Sequence, residues 1–135
     1  LPSIKTDLLD VILATIEGTL DDVAIDWGDS ARVGVVMASR GYPGEYRRGI
    51  EIQGLDELDD DALVFHSGTT RPQTKSPQVV TTGGRVLTIV GTGSSVLEAR
   101  THAYENIGRV DFQGCYYRKD IGLVQRTAGQ REGAN

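Results

Sequence analysis

Residues 78–107 read QVVTTGGRVLTIVGTGSSVLEARTHAYENI, and the periodicity of this stretch changes partway along. Up to Val90 it is dense in β-branched residues with two glycines between apolar runs, the composition of paired strands. The run VVTTGGRVLTIV predicts a β-hairpin, with Thr82-Gly83-Gly84 supplying the positive-φ positions of its turn. From Ser95 onward the spacing becomes helical. Ser95 followed by Glu98 is a capping box, Val96, Ala99, Ala103 and Ile107 stripe one face, and Gly108 ends the run. His102 and Glu105 fall on its flanks. A strand pair leading directly into an amphipathic helix is the signature of an α+β fold.

Working outward, Arg32–Ser39, Leu63–His66, Gln78–Thr81 and Val86–Val90 read as strands, with weaker ones at Val23–Trp27, Gly49–Ile52 and Cys115–Arg118. A second helix spans residues 6–17, where Leu9, Ile12, Leu13 and Ile16 share one face. Thr6 is its expected N-cap, and Gly18 its stop. The expected architecture is a mainly antiparallel β unit, barrel-like or sandwich-like, with two main helices packed on it. Residues 1–22 form a helical segment, 23–122 a β-rich domain, and 123–135 a polar tail.

Charge and composition exclude several functions. The 14 Lys and Arg against 19 Asp and Glu leave a net charge of −5, the wrong sign for an electrostatic nucleic-acid binder. A single cysteine, Cys115, allows neither an internal disulfide nor a cysteine-cluster zinc site and suits a reducing, cytoplasmic setting. No apolar run approaches the ~20 residues that span a bilayer. The opening LPSIKTDLL has neither a signal-peptide pattern nor an initiator methionine, as expected of a segment from within a longer protein.

Four loops carry more glycine and polar residues than a simple connection needs. Arg40–Gly49 holds Tyr42-Pro43-Gly44, three arginines and two tyrosines, which suit phosphate or carboxylate contact and equally describe an exposed turn stiffened by proline. At Phe65–Thr70, a nest of backbone N–H groups beside His66 could take an anion, although a structural histidine explains the same residues. The Thr81–Arg85 turn could cradle phosphate or be an ordinary hairpin. Tyr116–Gly122 suggests an interface or an ion-pair network. Asp56–Asp61, five acids in six positions, reads as a solvated loop, because consecutive carboxylates point different ways. His66 and His102 lack zinc-site spacing, and Cys115 is assigned to structure. By themselves these residues support an anion-handling module and no named reaction.

Four blocks taken together, RVGVVMASRGYPGEYRRG, ALVFHSGTT, VVTTGGRVLTIVGTGSSVLEARTHAYENI and FQGCYYRKDIG, resemble the C-terminal domain of phosphoribosylamine–glycine ligase, also called glycinamide ribonucleotide synthetase, an ATP-grasp family. The preceding LPSIKTDLLDVILATIEGTLDD resembles the segment leaving that family's ATP-grasp core. The resemblance implies a ligase of purine biosynthesis that uses ATP with Mg²⁺ or Mn²⁺ to join glycine to 5-phosphoribosylamine. ATP and metal would be bound by domains outside these residues. No catalytic residue, metal ligand or cofactor is therefore expected here, and the partners would be the N-terminal and ATP-grasp domains of the same chain. The resemblance implies that Arg85 contacts phosphate or ribose beside Gly83 and Gly84, with His66, Gly68 and Thr69 second in rank. Tyr42, Pro43 and Gly44 would line the mouth of the site, and Arg118 would bridge domains. Arg40 departs from the small residue associated with its loop, and residues 70–77 are long and proline-rich for that turn. An exposed apolar patch is expected over Leu8–Ile16, where the helix would meet a partner domain. A stand-alone sugar-phosphate-binding or docking module is the alternative.

Overall fold

A computed structural model describes residues 1–73 and 78–123. Helix α1, Leu8–Glu17, is capped by Asp7, whose carboxylate accepts from the Leu9 N–H; the expected cap, Thr6, instead uses its hydroxyl to accept from the Asp26 N–H. Gly18 ends α1 in the left-handed region at φ 73°, which favours a residue without Cβ. Strand β1 covers Ala31–Ser39, β2 Leu63–His66, β3 Thr69–Thr70, β4 Val80–Thr81, and β5 Arg85–Gly93. Helix α2 is Val96–Ile107 and β6 is Cys115–Tyr116. The larger sheet is antiparallel and open, in the order β2-β5-β1-β6, and β3 pairs with β4 in a second, two-stranded sheet. The fold is α+β as expected. Its sheets do not close into a barrel.

The hairpin expected across Thr82-Gly83-Gly84 does not form. Strand β4 turns away from β5 because its partners lie elsewhere: the Thr81 N–H donates to the Ile50 carbonyl (2.8 Å), and the buried Thr81 hydroxyl accepts from the Ile50 N–H (3.1 Å). The Gly49–Ile52 segment thereby joins the sheet system through one isolated bridge, Glu51 to Val80, instead of as a full strand. Neither Gly83 nor Gly84 has positive φ. Their missing side chains matter for close approach: a Cβ on Gly68 would stand 2.6 Å from the Gly83 Cα. Of the other weak strands, Cys115–Arg118 shortens to β6, and Val23–Trp27 leaves only the bridge of Trp27 to Ile4.

One face of the larger sheet is the core. Val33, Val35 and Met37 of β1 lie opposite Leu87 and Ile89 of β5 and beneath Ala99, Ala103 and Ile107 of α2. The helix comes close because small residues meet: a Cβ on Gly91 would lie 2.3 Å from the Ala103 nitrogen, and one on Gly93 2.6 Å from that of Ala99. Val96, expected on the inward stripe, is exposed, and Asn106, in the last turn, is fully buried. Ser95 caps α2 by accepting from the Glu98 N–H. Glu98 completes only part of the expected box, turning to the hydroxyl and N–H of Ser94, which hold its carboxyl below the usual range. The opposite sheet face carries Val36, Leu63 and Phe65, all exposed. Leu9, Ile12, Leu13 and Ile16 on α1 are exposed too, as the sequence anticipates.

Candidate functional site

The open face of the sheet ends in a cavity of about 530 Å³. Its floor is Val36 of β1 and Thr88 of β5; its rim is Tyr42, Gly68, Gly84 and Arg85. A bulge in β5 shapes this end. Met37 pairs with Leu87 but Ala38 with Arg85, so Val86 is the extra residue. Val86 and Leu87 consequently both enter the core, and Arg85 emerges into solvent. Strict alternation along the sequence cannot reveal that step.

The Arg40–Gly49 loop is fastened to the residues before β5. The Ser39 N–H donates to the Gly84 carbonyl (2.8 Å), and the buried Ser39 hydroxyl donates to that of Gly83 (3.1 Å). The Tyr42 ring lies against Gly84, where a Cβ would meet its Cδ2 at 2.0 Å. Tyr42 also meets Tyr46 edge-on, their ring centres 6.2 Å apart, and the Tyr42–Pro43 peptide is cis. The absence of a side chain at Gly84 therefore makes room for this tyrosine, and Tyr42 forms a wall of the cavity.

Arg85 forms no ion pair among the described residues. Arg118 and Arg109, by contrast, are committed. Arg118 grips Asp120 with two hydrogen bonds, and its guanidinium pulls that carboxyl down to about 2. Arg109 donates to Asp59 (2.7 Å) and to the Glu57 carbonyl (3.0 Å). Arg85 thus presents an exposed guanidinium, unpaired among the described residues, beside Val36 and Thr88, an arrangement suited to bidentate contact with a phosphate or carboxylate.

The residues expected at the site divide. Arg85, Gly84, Gly83, Gly68 and Tyr42 line one cavity. His66 and Thr69 lie outside its lining and bond to each other, Nδ1 to Oγ1, at 2.9 Å. Pro43 and Gly44 belong to the adjoining loop but not to the lining, and Arg118 sits apart in its pairing with Asp120. Ser67, Val36 and Thr88 complete the cavity unforeseen, although Val36 and Thr88 could have been found as outward positions of their strands.

The acidic run is also different from a free solvated loop. The buried Asn106 accepts from the Asp59 N–H (2.9 Å) and donates to the Asp59 carboxylate (3.0 Å) and the His102 carbonyl (2.9 Å). Arg109 and Asn106 hold the Asp59 carboxyl below its usual range. The His102 Nδ1 accepts from the Thr92 N–H (3.1 Å), so its Nε2 faces Asp59 and Asp61 at 3.4 and 3.3 Å. This cluster fastens the acidic loop to α2. Among the described residues, no three His, Cys, Asp or Glu side chains gather so as to hold a metal ion. Burial pushes the Cys115 thiol up to about 11, with Asp111 adding to the effect, so it is a poor nucleophile at neutral pH.

The structure is thus an α+β domain with an arginine-rimmed cavity on an uncovered sheet face. Residues 32–124 match the family model "Phosphoribosylglycinamide synthetase, C domain", and the chain belongs to this family. It is 50% identical over 121 residues to the phosphoribosylamine–glycine ligase of Caldanaerobacter subterraneus subsp. tengcongensis, covering 90% of this chain and 28% of that protein. It is 45% identical over 119 residues to the ligase of Escherichia coli O157:H7, covering 87% of this chain and 27% of that protein. The crystal structure of phosphoribosylamine–glycine ligase from Thermotoga maritima aligns with a TM-score of 0.68 at 35% identity, over 84% of this chain and 27% of that one. The chain thus spans little more than a quarter of these relatives. Among the described residues, no helix is long and apolar enough to cross a membrane.

Proposed function

We propose that this chain is the C-terminal domain of a cytoplasmic phosphoribosylamine–glycine ligase and that its cavity holds the phosphoribosyl end of the amine substrate. The observation that carries this reading is the convergence of Tyr42, Gly68, Gly84 and Arg85, drawn from three separated segments, on one cavity whose guanidinium has no ion-pair partner among the described residues. In the proposed reaction, the glycine carboxylate takes the terminal phosphoryl group of ATP and ADP leaves. The nitrogen of phosphoribosylamine then attacks the acyl carbon, phosphate departs, and the amide is formed. Arg85 would bind the substrate phosphate, Tyr42 would wall the cavity, and Thr88 would offer a hydroxyl from its floor. ATP and Mg²⁺ or Mn²⁺ would be held by other domains of the ligase, in keeping with the chain spanning little more than a quarter of its relatives. The exposed Leu63 and Phe65, together with the apolar side of α1, would pack against those domains.

Kinetics of Arg85→Ala in the full-length ligase test this reading. Loss of one charge-assisted phosphate contact should reduce kcat/KM for phosphoribosylamine by an amount equivalent to ~1.5–3 kcal/mol, leaving ATP saturation little changed. An unchanged kcat/KM would remove Arg85 from the site.

A further inference from the structure

A second cavity, about 640 Å³, shares no lining residue with the first. It is lined by Arg40, Glu45, Tyr46, Arg47, Gln113 and Gly114, with buried Ser39 at its base. The Arg40 N–H donates to the Gly114 carbonyl (2.8 Å), joining the loop after β1 to the segment before β6. Gly41, at φ 99°, lets the loop fold back so tightly that a Cβ there would lie 2.0 Å from the Glu45 carbonyl oxygen. Arg48 lies over the Tyr46 ring, 5.5 Å from its centre, and Tyr42 meets the same ring edge-on. The walls are therefore held by the fold.

Arg40 and Arg47 are exposed and make no ion pair among the described residues, on a chain whose net charge is −5. Two guanidiniums on one cavity, neither ion-paired among the described residues, are suited to a phosphate. The cavity is far larger than a bare phosphate needs and falls in the range of small-molecule sites. Its other groups suit the remainder of a nucleotide. Tyr46 offers a ring, Gln113 an amide that can both donate and accept, and the Glu45 carboxylate an acceptor for sugar hydroxyls or a ring amine. Glu45 also disfavours a small anion filling the whole space.

We propose that this cavity binds a nucleoside monophosphate, its phosphate on Arg40 and Arg47 and its nucleoside against Tyr46, Gln113 and Glu45. This site is separate from the Arg85 cavity and does not depend on the role proposed there.

Titration calorimetry of the 135-residue chain, with AMP, adenosine and inorganic phosphate as probes, tests the proposal. AMP should bind more tightly than either part alone. Replacing both cations (Arg40→Gln with Arg47→Gln) should weaken it by about tenfold or more, as expected for lost charge-assisted contacts. Tyr46→Leu should weaken AMP but leave phosphate binding unchanged, and Arg85→Gln should leave AMP binding intact. All four side chains are at least partly exposed, so circular dichroism should report a native fold for each variant. AMP affinity that survives the double substitution, equal affinity for AMP and phosphate, loss of AMP binding in Arg85→Gln, or no AMP binding at millimolar concentration would each overturn the assignment.

Discussion

The two faces of the larger sheet differ in how their interactions are completed. Beneath α2, Val35, Met37, Leu87 and Ile89 are wholly buried, and the adjoining polar groups are paired: Asn106 with Asp59, Arg109 with Asp59, and His102 with the Thr92 N–H. On the opposite face, Val36, Leu63 and Phe65 are exposed, and Arg85 has no ion-pair partner among the described residues. The covered face supplies stability. The open face retains apolar surface and an uncommitted cation, which can interact with another domain or a substrate.

Substitutions at matched positions should expose this contrast. Leu87→Ala on the covered face should cost about 2–5 kcal/mol, because it removes contacts and leaves a cavity, whereas Val36→Ala on the open face should cost well under ~1 kcal/mol. Urea denaturation of the two variants measures the difference, and similar losses would show that both faces are equally committed. A smaller effect is expected at Asn106. Asn106→Leu should destabilise by roughly 1–3 kcal/mol, since the Asp59 N–H and carboxylate lose a buried partner.

The smallest expected effect lies in the exposed Arg118–Asp120 pair. The Asp120 carboxyl is held at about 2 by Arg118, below its ordinary value of 3.8. Because the folded value is the lower one, any stabilisation is present above the unfolded carboxyl's ordinary value and is lost as pH falls through about 2. NMR titration should find Asp120 ionised well below pH 3.8, and Arg118→Gln should raise its midpoint towards the ordinary value, with almost no change in stability at neutral pH. A midpoint unmoved by that substitution would show that Arg118 is not what holds the carboxyl ionised.

The legibility of the sequence varied with the range of the interactions involved. Helix α2, its Ser95 cap and its Ala99, Ala103 and Ile107 stripe depend on residues three or four apart, and they were readable. So were β1, β2 and the body of β5. The hairpin failed because pairing depends on the best available partner, and β4 finds Ile50 and β3 instead of β5. The loop of five acids appeared merely solvated because Asn106, which fastens it, lies 47 positions from Asp59.

By itself the sequence determined an α+β chain of acidic net charge, with glycine- and arginine-rich loops and the blocks that mark its family. Local propensities, capping and composition act within a few residues, and so they could be read directly. The tertiary structure decided which loops meet. The β5 bulge brings Arg85 to the surface, the absence of a Cβ at Gly84 admits the Tyr42 ring, and Ser39 bonds the two segments together. These are contacts between distant residues, selected by close packing and by the need to pair buried polar groups, and no local pattern encodes them.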